Sequence, residues 1–223
     1  MLLKAFVLLL GFAGTTLWGC SEPPRTARVP LSLVPSVNAA GSGSDPIESR
    51  QFQRPLIRSA RATWGASAPV ALFAAQVHAE SSWNSAARSP VGALGLAQFM
   101  PATADWIDDA YPDLGPNQPA NPDWALRALT RYDLHLYERV HSVDDCNRHA
   151  FMLAAYNGGL KWVERDQALA GQQGLEALRY WGSVEQVNAG RSAAAWKENR
   201  GYAPRIIYKL QARYLSWGGS VCL

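Results

Sequence analysis

The candidate chemistry in this chain begins with one carboxyl group. From Val70 to Ala79 nearly every residue is apolar, Gln76 and His78 excepted, and the run ends on Glu80. A helix apolar on most sides is buried, so Glu80, close to Trp83, would sit in a low-dielectric site. Desolvation disfavours the charged form of a carboxyl group and raises its pKa. An acid that stays protonated near neutral pH can give a proton to a leaving group. The plainer reading is a solvated glutamate at a helix end, and the helix alone does not decide. A second polar spot is Tyr156-Asn157, ahead of Gly158-Gly159. There a helix end would bring a phenol and an amide to one surface, where they can hydrogen-bond a ligand. Core packing for Tyr156 and a helix cap for Asn157 is the competing account.

Other constellations lead nowhere. His78-Ala79-Glu80 has the H-x-E form of a zinc deaminase fragment, but no C-x-x-C exists to complete it. His135, His141 and His149 lack metal-ligand spacing, and there is no H-E-x-x-H. Ser81 and Ser82 sit in no nucleophile elbow. No metal and no cofactor is expected.

The elements that must hold these groups read as helices. Phe52 to Trp64 forms a first helix, and Ser67 caps the apolar one, with Pro69 in its first turn. A helix from Pro101 to Asp109 turns Trp106 and Ile107 inward. Pro112, Gly115, Pro116, Pro119 and Pro122 make Tyr111 to Pro122 a loop. Asn121 caps the next helix, with Pro122 in first position and Trp124, Ala128, Tyr132 and Leu136 at helical spacing. Arg148 to Tyr156 and Leu160 to Ala170 follow. Within the loop-rich 171–190 stretch, Leu175 to Trp181 reads as a short helix. Pro204 opens a last helix that turns Ile207, Leu210 and Tyr214 to the core. No run alternates with period two, so the domain is all-α.

The loop after Glu80 adds a resemblance. E-S-x-W-N, then S-P-x-G-A-x-G-L-x-Q-x-M-P-x-T, spans residues 80–103 and resembles the lytic transglycosylases of the soluble, goose-lysozyme-like (SLT) type. A-Y-N-G-G at 155–159 is similar to that family's A-Y-N-A-G. Glu198 and Tyr202 are similar to its E-T-x-x-Y-V. Ala97, Gly158, Asn199 and Ala203 depart from the usual Met, Ala, Thr and Val. The resemblance covers roughly residues 55 to 215 and implies a lysozyme-like helical fold. It also implies cleavage of the peptidoglycan bond between N-acetylmuramic acid and N-acetylglucosamine without hydrolysis. Glu80 would be the single acid and base. Ser89, Gln98, Tyr156, Asn157 and Tyr202 would bind and orient the sugars and Glu80. Trp83, Trp162 or Trp181 could stack on sugar faces. The matched motifs supply no second carboxylate near Glu80. A lysozyme-type hydrolase would need one, from Asp105, Asp108 or Glu198, and a non-catalytic wall-binding lipoprotein is the remaining alternative.

The ends of the chain set its expected location. Lys4 and the apolar Ala5–Leu17 run form a signal segment too short to span a bilayer. Leu17-Trp18-Gly19-Cys20 resembles a bacterial lipoprotein signal, with Cys20 as the lipidated residue; an uncleaved N-terminal anchor is the alternative, and both place the domain outside the cytoplasm. By the same resemblance to lipoprotein sorting, Ser21 after the cysteine, rather than Asp, implies the outer membrane. Residues 1–19 are thus read as a lipoprotein signal peptide, 20–50 as a flexible tether rich in Pro, Ser, Ala, Gly and Val, and 51–223 as the catalytic domain. In an oxidising periplasm, Cys146 and Cys222 suggest a disulfide, with two separate buried thiols as the alternative. The chain has 223 residues, 48% hydrophobic and 17% charged, which is globular composition. A net charge of +3 is too small to argue for nucleic acid. The expected partners are peptidoglycan glycan strands and, through Cys20, a membrane; the domain is read as a monomer.

Overall fold

The computed structural model describes residues 44–222. The expected signal peptide, the lipidation site Cys20 and most of the tether lie outside them. Among the described residues the first regular element is a 3-10 turn at Ile47–Ser49, and Ser49 is buried, so the end of the 20–50 stretch packs with the domain.

Among the described residues seven α-helices follow in order: α1 Arg50–Trp64, α2 Val70–Ser81, α3 Pro101–Ala110, α4 Pro122–Arg139, α5 Asp145–Gly158, α6 Leu160–Gln172 and α7 Ala193–Pro204. A π-helical turn, Arg205–Leu210, and a 3-10 segment, Gln211–Trp217, complete the chain's last rod. Among the described residues the only strand-like pairings are two isolated bridges, Arg88 with Leu94 and Leu94 with Phe99. None of the described helices is long and apolar enough to cross a membrane.

The element at the centre is α2. Its residues Val70 to Val77 are all buried, as a helix without a polar face must be. Helix α1 covers one side and the 205–217 rod covers another. Leu72 and Phe73 are fully enclosed, each contributing about 2 kcal/mol by leaving water. Ser67 does not cap this helix. The Ala71 N–H instead donates to the carbonyls of Gly218 and Gly219, at 2.8 and 3.0 Å. The C-terminal tail thus does what a capping side chain would have done. Gly219 must be glycine, because a Cβ there would lie 2.1 Å from the Ala68 carbonyl oxygen. Cys146 on α5 is disulfide-bonded to Cys222, which anchors the tail.

The other helices follow local rules with three exceptions. Asn121 caps α4 as expected, accepting from the N–H of Asp123 at 2.9 Å and Trp124 at 3.4 Å. Trp106, expected inside α3, is 40% exposed and packs edge-on against His135, while Ile107 is buried. Leu175–Trp181 is not a helix. Asn147 Oδ1 takes the N–H groups of Tyr180 and Trp181 at 2.8 and 3.1 Å, donors a helix would have used for itself. Pro204 ends α7 rather than opening a helix. Its missing N–H breaks the ladder, and the chain continues in wider and then tighter turns. Ile207 and Tyr214 still reach the core, and Leu210 packs at its edge.

Candidate active site

Glu80 lies in the last turn of α2, where the helix leaves the core. The turn after it is backbone-strained: Ser82 and Trp83 have φ of 50° and 68°. Trp83 holds that geometry. It is buried, its indole N–H donates to the Tyr214 hydroxyl at 2.8 Å, and it stacks on Phe52. Trp83 is therefore a core anchor for the acid's helix, not a sugar platform.

The 84–100 loop is closed by its own backbone. Ser89 N–H donates to Ala93 O, Gly95 N–H to Ala87 O and Leu94 N–H to Phe99 O, at 3.0, 2.9 and 3.0 Å. Gly95 has φ of 71°, and a Cβ there would meet the Pro119 carbonyl oxygen at 2.1 Å. Gln98, itself at φ 48°, clamps the loop by donating from Nε2 to the carbonyls of Gly95 and Ala87, at 3.0 and 3.3 Å. Ser89 Oγ accepts the Ala93 N–H at 2.9 Å, which leaves its O–H free to donate outward.

The opposite wall comes from α5 and α7. Tyr156 donates to the Ala97 carbonyl at 2.7 Å and so ties α5 to the loop. Asn157 Oδ1 accepts from Asn199 at 3.0 Å. Tyr202 on α7 is buried and donates its hydroxyl to Glu80 Oε1. Glu80, Ser89, Gln98, Tyr156 and Asn157 line one cavity of about 310 Å³. Glu80, Asn157 and Tyr202 line a second, of about 660 Å³, which shares its wall. The structure thus gathers every candidate binding residue around the one acid.

Burial raises the pKa of two acids in this region: Asp133 on α4, fully buried beside Gln76, is pushed well above the usual carboxylate range but lines neither cavity, whereas Glu80 lines both. Burial raises its pKa from 4.5 to about 7, against the opposing pull of the Tyr202 hydrogen bond and Arg205. Tyr202 is pushed well above the usual phenol range, mainly by burial and then by Glu80 itself, so it stays a neutral donor.

Of the carboxylates that could activate water, Asp105 is exposed, bonds Asn117 at 2.6 Å and lines neither cavity, and Asp108 lines neither. Glu198 is exposed but lines both. The same holds for tryptophans: Trp162 borders a neighbouring cavity that shares Asn157 and Glu198, whereas Trp181 packs on Tyr180 and Tyr208. Sequence reasoning missed the apolar floor formed by Phe99, Met100 and Tyr132, although Phe99-Met100 sits inside the recognised motif. It also missed Arg205, one residue beyond Pro204. Among the described residues no three His, Cys, Asp or Glu side chains gather as metal ligands would.

Comparison with known proteins agrees with this geometry. The Transglycosylase SLT domain model matches residues 56–178, and the chain belongs to that family. The membrane-bound lytic murein transglycosylase F of Shewanella halifaxensis is 34% identical over 116 residues, 52% of this chain and 23% of that protein. The soluble lytic murein transglycosylase of Salmonella typhimurium is 39% identical over 83 residues, 36% of this chain and 12% of its own. The chain spans under a quarter of the length of these relatives. The 70 kDa soluble lytic transglycosylase of Escherichia coli shares the lysozyme-like helical fold, with a TM-score of 0.52 at 24% identity, over 77% of this chain and 26% of that one.

Proposed function

We propose that this chain is a peptidoglycan lytic transglycosylase that cleaves the MurNAc–GlcNAc β-1,4 bond and leaves 1,6-anhydro-MurNAc ends. The observation that carries the reading is Glu80: a buried carboxyl group with a pKa of about 7, held by a neutral phenol, with the neutral hydrogen bonders Ser89, Gln98, Tyr156 and Asn157 around the same cleft. The Glu80 carboxyl gives its proton to the glycosidic oxygen as the C1–O bond breaks. The substrate's own acetamido group stabilises the oxocarbenium-like centre. The Glu80 carboxylate then takes the C6 hydroxyl proton while that oxygen bonds to C1, which restores the acid and consumes no water. The C6 hydroxyl is tethered to the reacting sugar, so it attacks at high effective concentration. Ser89, Gln98 and Asn157 position the sugars, and Tyr156 and Tyr202 orient the acetamido group and Glu80.

One observation favours a second reading. Glu198 lines the cleft and could activate water, which would make the product a hydrolysed, reducing end. Digestion of purified peptidoglycan in ¹⁸O-water, followed by mass spectrometry, separates the two. The lyase incorporates no label at the new end; stoichiometric uptake overturns the proposal in favour of hydrolysis through Glu198.

The same reading places the domain, residues 51–223, in the periplasm, carried by a lipoprotein signal at 1–19 and tethered through Cys20 and residues 20–50 to the outer membrane. Palmitate labelling that persists in Cys20→Ser would reject that anchor.

A further inference from the structure

Behind Asn157 lies a buried charged cluster. Asp166 on α6 is fully buried and paired with both Arg191 and Arg200. The same two guanidiniums donate through Nη1 to Asn199 Oδ1, at 3.2 and 2.7 Å. A guanidinium can only donate, so the oxygen end of the Asn199 amide must face the arginines. Its Nδ2 then points the other way and donates to the Ala154 carbonyl at 2.8 Å and to Asn157 Oδ1 at 3.0 Å. The Ala154 carbonyl can only accept, which fixes the same orientation independently. Asn157 must therefore turn its oxygen inward and keep its N–H₂ for the cleft.

Gly158 makes this chain of bonds possible. It is helical, so it is not required for an unusual backbone angle. A Cβ at 158 would lie 2.6 Å from Asn199 Nδ2, 3.2 Å from its Cγ and 3.0 Å from Arg191 Nη1. Two of the four departures from the motif pattern, Gly158 and Asn199, are thus one steric unit.

We propose that Asn199 is a positioning residue that sets the polarity of the Asn157 amide, with Gly158 as the space that admits it, so that the cleft presents N–H donors here and takes a ligand acceptor, the carbonyl oxygen of an N-acetyl sugar. The ligand class rests on the reading of the reaction given above; the amide polarity does not.

The test uses the full chain and four variants: Asn199→Asp, Gly158→Ala, Asn199→Ser and the last two combined. In ¹⁵N NMR without ligand, the wild-type Asn199 side-chain N–H₂ exchanges slowly and that of Asn157 quickly. Asn199→Asp keeps both arginine partners but turns an acceptor toward Asn157, so the Asn157 amide reverses and becomes protected. With glycan substrate, KM rises about tenfold while kcat changes by less than about threefold, the split expected when a group loses ground-state binding. Gly158→Ala lowers the melting temperature, and adding Asn199→Ser raises it again, because serine removes the nearest atom the new Cβ would meet, Asn199 Nδ2, and leaves only Arg191 Nη1, the far end of a flexible side chain, at 3.0 Å. A protected Asn157 amide in the wild type, or melting losses that simply add in the double variant, overturns the proposal. Wild-type protein that releases no anhydro ends sinks the reaction reading alone, since the NMR and melting results need no substrate.

Discussion

The wall that carries Glu80 is held by apolar packing and backbone hydrogen bonds, whereas the wall that carries Asn157 is held by buried charge. On the first side, α2 is enclosed from Val70 to Val77, and the loop beyond it closes on itself through main-chain pairs and the left-handed residue Gln98. On the second side, Asp166, Arg191, Arg200 and Asn199 form one network behind Asn157. Each wall suits its task. A general acid needs a surrounding that penalises its charge, and apolar packing provides that. An amide needs its two ends told apart, which only directional polar partners can do. Tyr202 joins the two, carried by α7 and bonded to Glu80.

The comparison can be broken from either side. Glu80→Gln should leave the fold intact and reduce cleavage by at least about 10²–10⁴-fold, because in the proposed reaction one residue both gives and takes the proton. Release of soluble muropeptides by the purified variant checks it. Asp166→Ala should leave two guanidiniums without their carboxylate and cost about 3–5 kcal/mol of stability; urea unfolding reads this directly. Gly95→Ala attacks the first wall. It combines a left-handed φ with a backbone clash and should cost about 2–3 kcal/mol, with loss of activity as the loop shifts.

Two smaller effects sharpen the contrast. The folded-state pKa of Glu80, about 7, is above its ordinary 4.5, so the fold favours the protonated form. That contribution is full below about pH 4.5 and gone above about pH 7. The wild type should therefore lose about 1–3 kcal/mol relative to Glu80→Gln across this window, measured by urea unfolding at both ends. Tyr202→Phe removes a bond that favours the carboxylate form. The falling limb of the pH–rate profile should move to higher pH, and the rate below it should drop about tenfold.

Much of this was legible in the chain. Helical periodicity located α1, α4, α5 and α6 because each has a distinct apolar face or cap, as Asn121 illustrates. The motifs brought Glu80, Ser89, Gln98, Tyr156, Asn157 and Tyr202 into view. What stayed hidden depended on partners distant in sequence. Ser67 lost its capping role to Gly218 and Gly219, and Leu175–Trp181 lost its helix to Asn147. Trp83 was one of three rings that could have stacked on a sugar, but it is buried and claimed by Tyr214. Glu198 was visible only as part of a motif. Its position on the cleft depends on how α7 packs against α5, which no local pattern encodes.

The tail's hold on α2 bears on the order in which the protein comes into being. A ribosome delivers Glu80 long before it delivers Tyr202, Tyr214 or Gly218, and contacts so far apart in sequence form late. Until residues 202–219 emerge, α2 lacks the cover of the 205–217 rod, Ala71 lacks its carbonyl partners and Glu80 lacks its phenol. The carboxyl group of an unfinished chain therefore titrates like any solvated glutamate, and the acid comes into existence only when the newest residues dock on some of the oldest.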